Sequence, residues 1–251
     1  MRFLARVLFI TGAGSGLGRA TALLFAAEGA KVFGVDVNGA GLAETVAAIR
    51  TAGGVADSAV CDVGSMAAVR AAVDAAVGAF GGVDILVNAA GIGRSARLEE
   101  IDEEEWQRVL TVNLTGAFNT VKAALPHLLA RPGGAVVNVA SSAGMRGQAY
   151  AAHYAASKAG LVNFTRSIAL ELASRGLQIN CLAPAGIRSP LIQHFIPRED
   201  FEKQLVAYYS PPLPHQLADP ADMAKAIAYL ASDDAKMVVG AVLVADWGTL
   251  A

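Results

Sequence analysis

The stretch Thr11-Gly12-Ala13-Gly14-Ser15-Gly16-Leu17-Gly18 limits what this chain can fold into more than any other. It follows the apolar run Val7 to Ile10 directly and opens a segment, Leu17 to Glu28, whose apolar residues recur at helical spacing. Strand, glycine turn and helix make one βα unit. The bare backbone at the turn lets a pyrophosphate approach the N–H groups and positive dipole at the helix N-terminus. The spacing is Gly-x-x-x-Gly-x-Gly; a Gly-x-Gly-x-x-Gly pattern would need glycine at Leu17 or Thr21.

The rest of the chain repeats this alternation. Strands are expected at Val7 to Ile10, Lys31 to Val35, Val55 to Val60, Ile85 to Val87, Ala135 to Val139, Gln178 to Leu182 and Val242 to Ala245. Helices are expected at Leu17 to Glu28, Ala40 to Thr51, Met66 to Phe80, Glu103 to Thr111 continuing through Asn113 to Leu129, His153 to Ser174, and Asp222 to Ala231. Gly29, Gly53, Gly81 and Gly176 stand where helices should stop, because a C-cap glycine takes positive φ at no steric cost. Short strands alternating with longer helices imply a three-layer α/β fold, a doubly wound parallel sheet of Rossmann type with about seven strands and helices on both faces. No linker or repeat divides the chain, so residues 1–251 read as a single dinucleotide-binding and catalytic domain. One segment breaks the rhythm. Residues 184–220 hold seven of the nine prolines together with Phe195, Tyr208 and Tyr209, the composition of a substrate lid that packs on something.

Composition narrows the function classes. With 54% hydrophobic residues, 17% charged residues and a formal charge of −2, the chain has a core and lacks the basic excess of a nucleic-acid binder. Cys61 and Cys181 are isolated and the four histidines are dispersed, so neither a disulfide framework nor a metal site is expected. Arg6 interrupts the N-terminal apolar run, and no uncharged stretch reaches the ~18 residues of a spanning helix. The expectation is a soluble cytoplasmic protein with no membrane or nucleic-acid partner.

Asp36 ends the second strand, eighteen residues beyond Gly18, where a carboxylate can accept both adenosine ribose hydroxyls. A 2′-phosphate would meet like charge there, and Val37 and Asn38 offer no cation to neutralise it, so NAD is favoured over NADP. A bland role remains open: Asp36 as a cap for the next turn. Further along, Asn88-Ala89-Ala90-Gly91 follows the fourth strand, Asn113 starts a long helix, Ser141 ends the fifth strand, and Tyr154 and Lys158 stand four apart on one helix face. An ammonium beside a phenol lowers the phenol's pKa, so Lys158, with the positive charge of an oxidised nicotinamide, is expected to bring Tyr154 from about 10 towards 7.

Taken together, Thr-Gly-x-x-x-Gly-x-Gly at 11 to 18, Asp62-Val63, Asn-Ala-Ala-Gly at 88 to 91, Asn113, Ser141 and Tyr154-Ala-Ala-Ser-Lys158 resemble the short-chain dehydrogenase/reductase family across the whole chain. The resemblance implies that Ser141 orients the substrate oxygen, Tyr154 moves the proton, Lys158 also binds the nicotinamide ribose, and Asn113 holds a water in a relay to Lys158. It also implies cofactor contacts from Gly12, Ser15, Gly16, Leu17, Gly18, Asp36, Asp62, Val63, Asn88, Ala89, Gly91, Tyr154, Lys158, Pro184, Ile187 and Ser189. Ser142 is the rival for the catalytic serine.

Three departures stand out. The family's common Pro-Gly is Pro184-Ala185 here, its threonine is Ser189, and its second glycine near the C-terminus is Trp247. The substrate site is expected between Ile92 to Arg94, Met145 to Tyr150, His153 and the lid from Leu191 to Tyr209, an apolar lining with bases such as Arg94, Arg146, His194 and Arg198. That suits a hydrophobic secondary alcohol or ketone. Apolar faces on the long helices, with the family resemblance, suggest a homotetramer. Two alternatives stay open: an NADPH-dependent 3-oxoacyl reductase of fatty-acid type, and a catalytically inactive NAD-binding sensor or scaffold.

Overall fold

The computed structural model of the chain describes residues 1–209 and 217–251. Seven strands, β1 (Val7–Thr11), β2 (Lys31–Asp36), β3 (Val55–Val60), β4 (Ile85–Asn88), β5 (Ala135–Val139), β6 (Gln178–Pro184) and β7 (Val242–Ala245), form one sheet in the order β3-β2-β1-β4-β5-β6-β7. All six pairings are parallel. The helices are α1 (Gly16–Ala27), α2 (Gly39–Thr51), α3 (Met66–Phe80), α4 (Glu103–Leu110), α5 (Gly116–Leu129), α6 (Ala152–Ala173), α7 (Lys203–Tyr208) and α8 (Pro220–Leu230).

Side-chain alternation along the strands builds the three layers. Leu8 and Ile10 of β1, Ile85 and Val87 of β4, and Val137 of β5 pack on Phe25 of α1, Ile49 of α2 and Ile227 of α8. Phe9, Phe33, Leu86, Val136 and Ile179 point the other way, onto Val73 of α3, Val121 and Leu128 of α5, and Leu172 of α6. Successive strand residues face opposite sides, so a sheet apolar on both faces must be covered on both. All four expected helix stops hold positive φ; Gly81, the left-handed C-cap of α3 at φ 83, donates its N–H to Val77 O.

Four strands run past the apolar runs that announced them, because the ladder continues through polar residues and proline. Thr11 pairs with Asn88, Asp36 with Val60 and Pro184 with Ala245. These extensions carry chemistry-bearing residues to the C-terminal edge of the sheet. There the strand order reverses between β1 and β4, which opens a crevice for a ligand. The long helix expected from Glu103 to Leu129 is two helices joined by a π-helical turn, Thr111–Thr115, that contains Asn113.

The proline-rich excursion contains a short turn at Pro190–Phe195, the helix α7 and a single bridge from Ile187 to Ala218; its residues 210–216 lie outside the described residues. Its aromatics do pack. Phe201 stacks on Tyr150 at 3.9 Å, Arg97 lies over both rings, and Arg198 over Phe201 pairs with Glu100 and Asp200.

Candidate active site

A cavity of about 620 Å³ lies along the C-terminal strand ends. One part is the glycine turn. Gly12 and Gly16 hold φ of 70° and 50°, and a Cβ at Gly12 would stand 2.9 Å from Ala90 N, while one at Gly16 would stand 2.9 Å from Ser189 Cβ. Ser15, the N-cap of α1, makes no side-chain cap bond, and the first turn holds no acid. By contrast, Asn38, Ser65, Asp102 and Asp219 cap α2, α3, α4 and α8 with their side chains. An uncapped helix end over a cradle shaped for bare backbone fits a pyrophosphate.

Gly12, Ser15, Gly16, Leu17, Gly18, Asp36, Asp62, Val63, Ala89, Gly91, Pro184, Ile187 and Ser189 all line this cavity, as do Ser141, Tyr154 and Lys158. Asp36 also serves the fold: Oδ2 accepts from Gly14 N at 2.9 Å and Oδ1 from Asn38 N at 2.9 Å. The turn-capping role is therefore filled, and each oxygen keeps the capacity to accept a second bond. Ala185 keeps a negative φ and donates to Ala245 O, so the missing glycine costs the β6 turn nothing.

Two residues of the constellation sit behind the wall. The Asn88 side chain donates to Asn138 Oδ1 at 2.9 Å and accepts from Thr120 Oγ1 at 2.6 Å, and Asn138 continues to Thr165. This buried polar chain ties β4 and β5 to α5 and α6, and Asn88 is not among the residues that line the cavity. Asn113 binds the Ile92 backbone in both directions at 2.8 Å and donates to Ser157 Oγ at 2.9 Å. The π-helical turn turns that side chain across to the loop after β4 and to α6, and so fixes the two walls to each other. Sequence reasoning missed Thr11, whose Oγ1 accepts from Ala89 N and Ala90 N and holds that loop against β1; its place directly before the glycine turn was the available signal.

Ser141 and Ser142 divide their work. Both line the cavity; Tyr209 Oη donates to Ser142 Oγ at 3.2 Å, which engages Ser142 with the proline-rich excursion, whereas Ser141 Oγ accepts from Ala143 N at 3.1 Å and lies within hydrogen-bonding reach of the Tyr154 hydroxyl. Lys158 Nζ donates to Val139 O at 2.8 Å and lies 5.7 Å from the Tyr154 ring centroid. Burial pushes the Tyr154 phenol up to about 12, the Ser141 bond offsetting only part of this, and burial brings Lys158 down to about 8. Lys158 by itself does not lower this phenol; the expected lowering also counted the positive charge of an oxidised nicotinamide. Depth in a low-dielectric wall outweighs an ammonium directed at a backbone carbonyl.

The expected bases do not face the cavity. Arg94 makes a bidentate pair with Glu105 at 2.6 Å, Arg146 lies over the Tyr208 and Tyr209 rings and donates to Tyr208 O, and Arg198 is held by Glu100 and Asp200. His194 likewise is absent from the wall, which beyond Ile92 and Gln148 is made by Leu191, Ile192, Phe195, Tyr209, Leu217 and Trp247.

His153, beside Tyr154, is fully buried with no hydrogen bond to either ring nitrogen; Nε2 lies 3.5 Å from Glu105 Oε1. Burial lowers its pKa from the ordinary 6.5, opposed by Glu105 and assisted by Arg94. Below about pH 6.5 the unfolded chain takes up a proton that the folded chain refuses, so stability falls with pH until the depressed folded value is passed. Thermal melts between pH 7.5 and 5.5 should show this decline, and His153→Leu should flatten it; equal slopes in both proteins would remove His153 as the cause.

Comparison with known proteins follows the same lines. The chain is 42% identical over 247 residues to a cis-4-hydroxycyclohexanecarboxylate dehydrogenase of Sinomonas cyclohexanicum, covering 98% of this chain and 97% of the relative. It is 38% identical over 248 residues to a 3-oxoacyl-acyl-carrier-protein reductase of Thermotoga maritima, covering 99% of each. The crystal structure of a short chain dehydrogenase from Mycobacterium paratuberculosis bound to NAD superposes with a TM-score of 0.93 at 32% identity, covering 99% of each chain. With the short chain dehydrogenase model matching residues 6–200 as well, the chain belongs to the short-chain dehydrogenase/reductase family of oxidoreductases, which act on alcohol and ketone groups.

Proposed function

We propose that this protein is an NAD-dependent oxidoreductase that interconverts a hydrophobic secondary alcohol and its ketone. One observation carries the reading: the cavity lined by Ser141, Tyr154 and Lys158 is also lined by Ile92, Leu191, Ile192, Phe195, Leu217 and Trp247, with Asp36 on its wall and Arg94 and Arg198 paired with carboxylates outside it. When bound, a nicotinamide cofactor supplies the hydride acceptor or donor. Gly12 to Gly18 would hold its pyrophosphate, Asp36 its adenosine ribose, and Lys158 its second ribose. Ser141 orients the substrate oxygen by hydrogen bonding, and Tyr154 Oη takes or returns the hydroxyl proton. The likeness to a hydroxycyclohexanecarboxylate dehydrogenase supports an alcohol substrate. The second reading, an NADPH-dependent 3-oxoacyl reductase, draws on the likeness to the Thermotoga reductase.

The ratio of kcat/KM with NAD to that with NADP separates the two. Asp36→Ala should lower that ratio roughly 30-fold, the worth of charge-assisted hydrogen bonds to two ribose hydroxyls. The variant also releases Gly14 N and Asn38 N, but that loss weakens both cofactors alike and cancels in the ratio. A wild-type preference for NADP would sink the NAD assignment.

The same reading includes a homotetramer. Phe118 on α5 and Leu170 on α6 are exposed, Leu170 at 81%, on helices whose other faces cover the sheet. Light scattering that returned the monomer mass of 25.7 kDa would exclude it.

A further inference from the structure

We propose that Trp247 is a specificity-determining wall of the substrate site that favours alcohols whose carbinol carbon belongs to a ring over open-chain alcohols, an inference that rests on the alcohol–ketone reading above. Trp247 holds φ 56°, a left-handed conformation that glycine takes freely and a tryptophan does not. The turn that imposes it is tightly held. The Asp246 carboxylate accepts from Gly248 N at 3.0 Å and from Leu250 N at 2.9 Å, and Thr249 Oγ1 donates to Asp246 O at 2.7 Å. Just before it, Ala245 O accepts from Ala185 N, which pins the turn beside Pro184 and Ala185 on the cavity wall.

A strained bulky residue is ordinarily offset by burial of its side chain. Trp247 has no such compensation: it remains 50% exposed, and it lines the same cavity as Ser141 and Tyr154. Backbone strain that the core does not require points to a function at the exposed ring. Two more aromatics reach this cavity from the lid. Phe195 meets the Tyr154 ring edge-on at 4.9 Å, and Tyr209 is fixed through Ser142. Broad rigid surfaces of this kind are covered most cheaply by a ligand that is itself rigid, because an open chain must freeze its own torsions to make the same contact.

The test compares cyclohexanol with 2-butanol, both with NAD, in wild type and in Trp247→Gly, a substitution that suits the left-handed backbone. The expected result is a KM for cyclohexanol raised about tenfold, the order of an aromatic face's contribution. The kcat/KM for 2-butanol and the KM for NAD should stay within about twofold, and Tm should be no lower than that of wild type. An unchanged ratio of cyclic to open-chain kcat/KM in the variant overturns the proposal, as does an equal loss on both alcohols accompanied by a lower Tm. A wild type inactive on both alcohols with NAD fails the alcohol–ketone reading instead.

Discussion

Tyr154→Phe should lower kcat by roughly 10³-fold for a secondary alcohol while leaving NAD affinity and Tm near wild-type values. The hydroxyl is the only group removed. The ring's edge-on contact with Phe195 at 4.9 Å and its packing with Ala143 and Ala151 remain, so neither fold nor cavity shape depends on the lost oxygen. Chemistry does depend on it. In the proposed reaction Ser141 would position the substrate oxygen and Lys158 would supply charge, but neither would replace the phenol in moving the proton. Stopped-flow or steady-state rates settle the magnitude, and cofactor titration confirms that the site still binds. A variant keeping more than a tenth of wild-type kcat would remove Tyr154 from proton transfer. A wild type that binds NAD and turns over no alcohol or ketone would favour the inactive sensor.

Gly18→Ala should be strongly damaging, since a Cβ there meets a closer backbone contact than one at Gly12, Gly14 or Gly16 in the same turn. A Cβ at Gly18 would lie 2.0 Å from Gly12 O and 2.5 Å from Gly12 C, and backbone atoms cannot rotate aside as a flexible side chain can. Gly12 is already fixed at φ 70° with its own Cβ direction blocked by Ala89 and Ala90. Relief must come from α1 moving off the glycine turn, which costs about 3 kcal/mol or more and lowers Tm by roughly 6–12 °C in a chain of this size. The same movement opens the phosphate cradle, so NAD binding should weaken at least tenfold. Gly53→Ala is the control. Gly53 has positive φ at 82° and nothing within 4 Å, so it isolates the conformational cost of about 1 kcal/mol from the steric one. Equal losses of Tm in the two variants would refute the steric argument.

Much of this is legible in the sequence. Every strand and helix inferred from periodicity is present, because a 2.0 or 3.6 repeat is a local property and a buried parallel sheet keeps its runs apolar. The motif residues came with their order, and order in an α/β chain is position: residues at successive strand ends meet along one sheet edge. What could not be read were pairings set by packing. Arg94 and Arg198 stand in segments expected to bound the substrate site, but Glu105 and Glu100 hold them. The pairing of Asn88 with Asn138 and Thr120 is likewise supplied by β5 and α5, far away in sequence.

The sequence by itself thus determined the layered parallel sheet, the glycine cradle, the Asp36 carboxylate at the end of β2 and the company of Ser141, Tyr154 and Lys158. All of these follow from spacing along a chain whose geometry is fixed by its covalent bonds. Only the tertiary structure decided which of those groups face the cavity, in which direction burial shifts Tyr154 and Lys158, and that Trp247 stands in a left-handed turn. Those depend on the dielectric surroundings and on contacts between residues far apart in sequence, and neither is written in any local pattern.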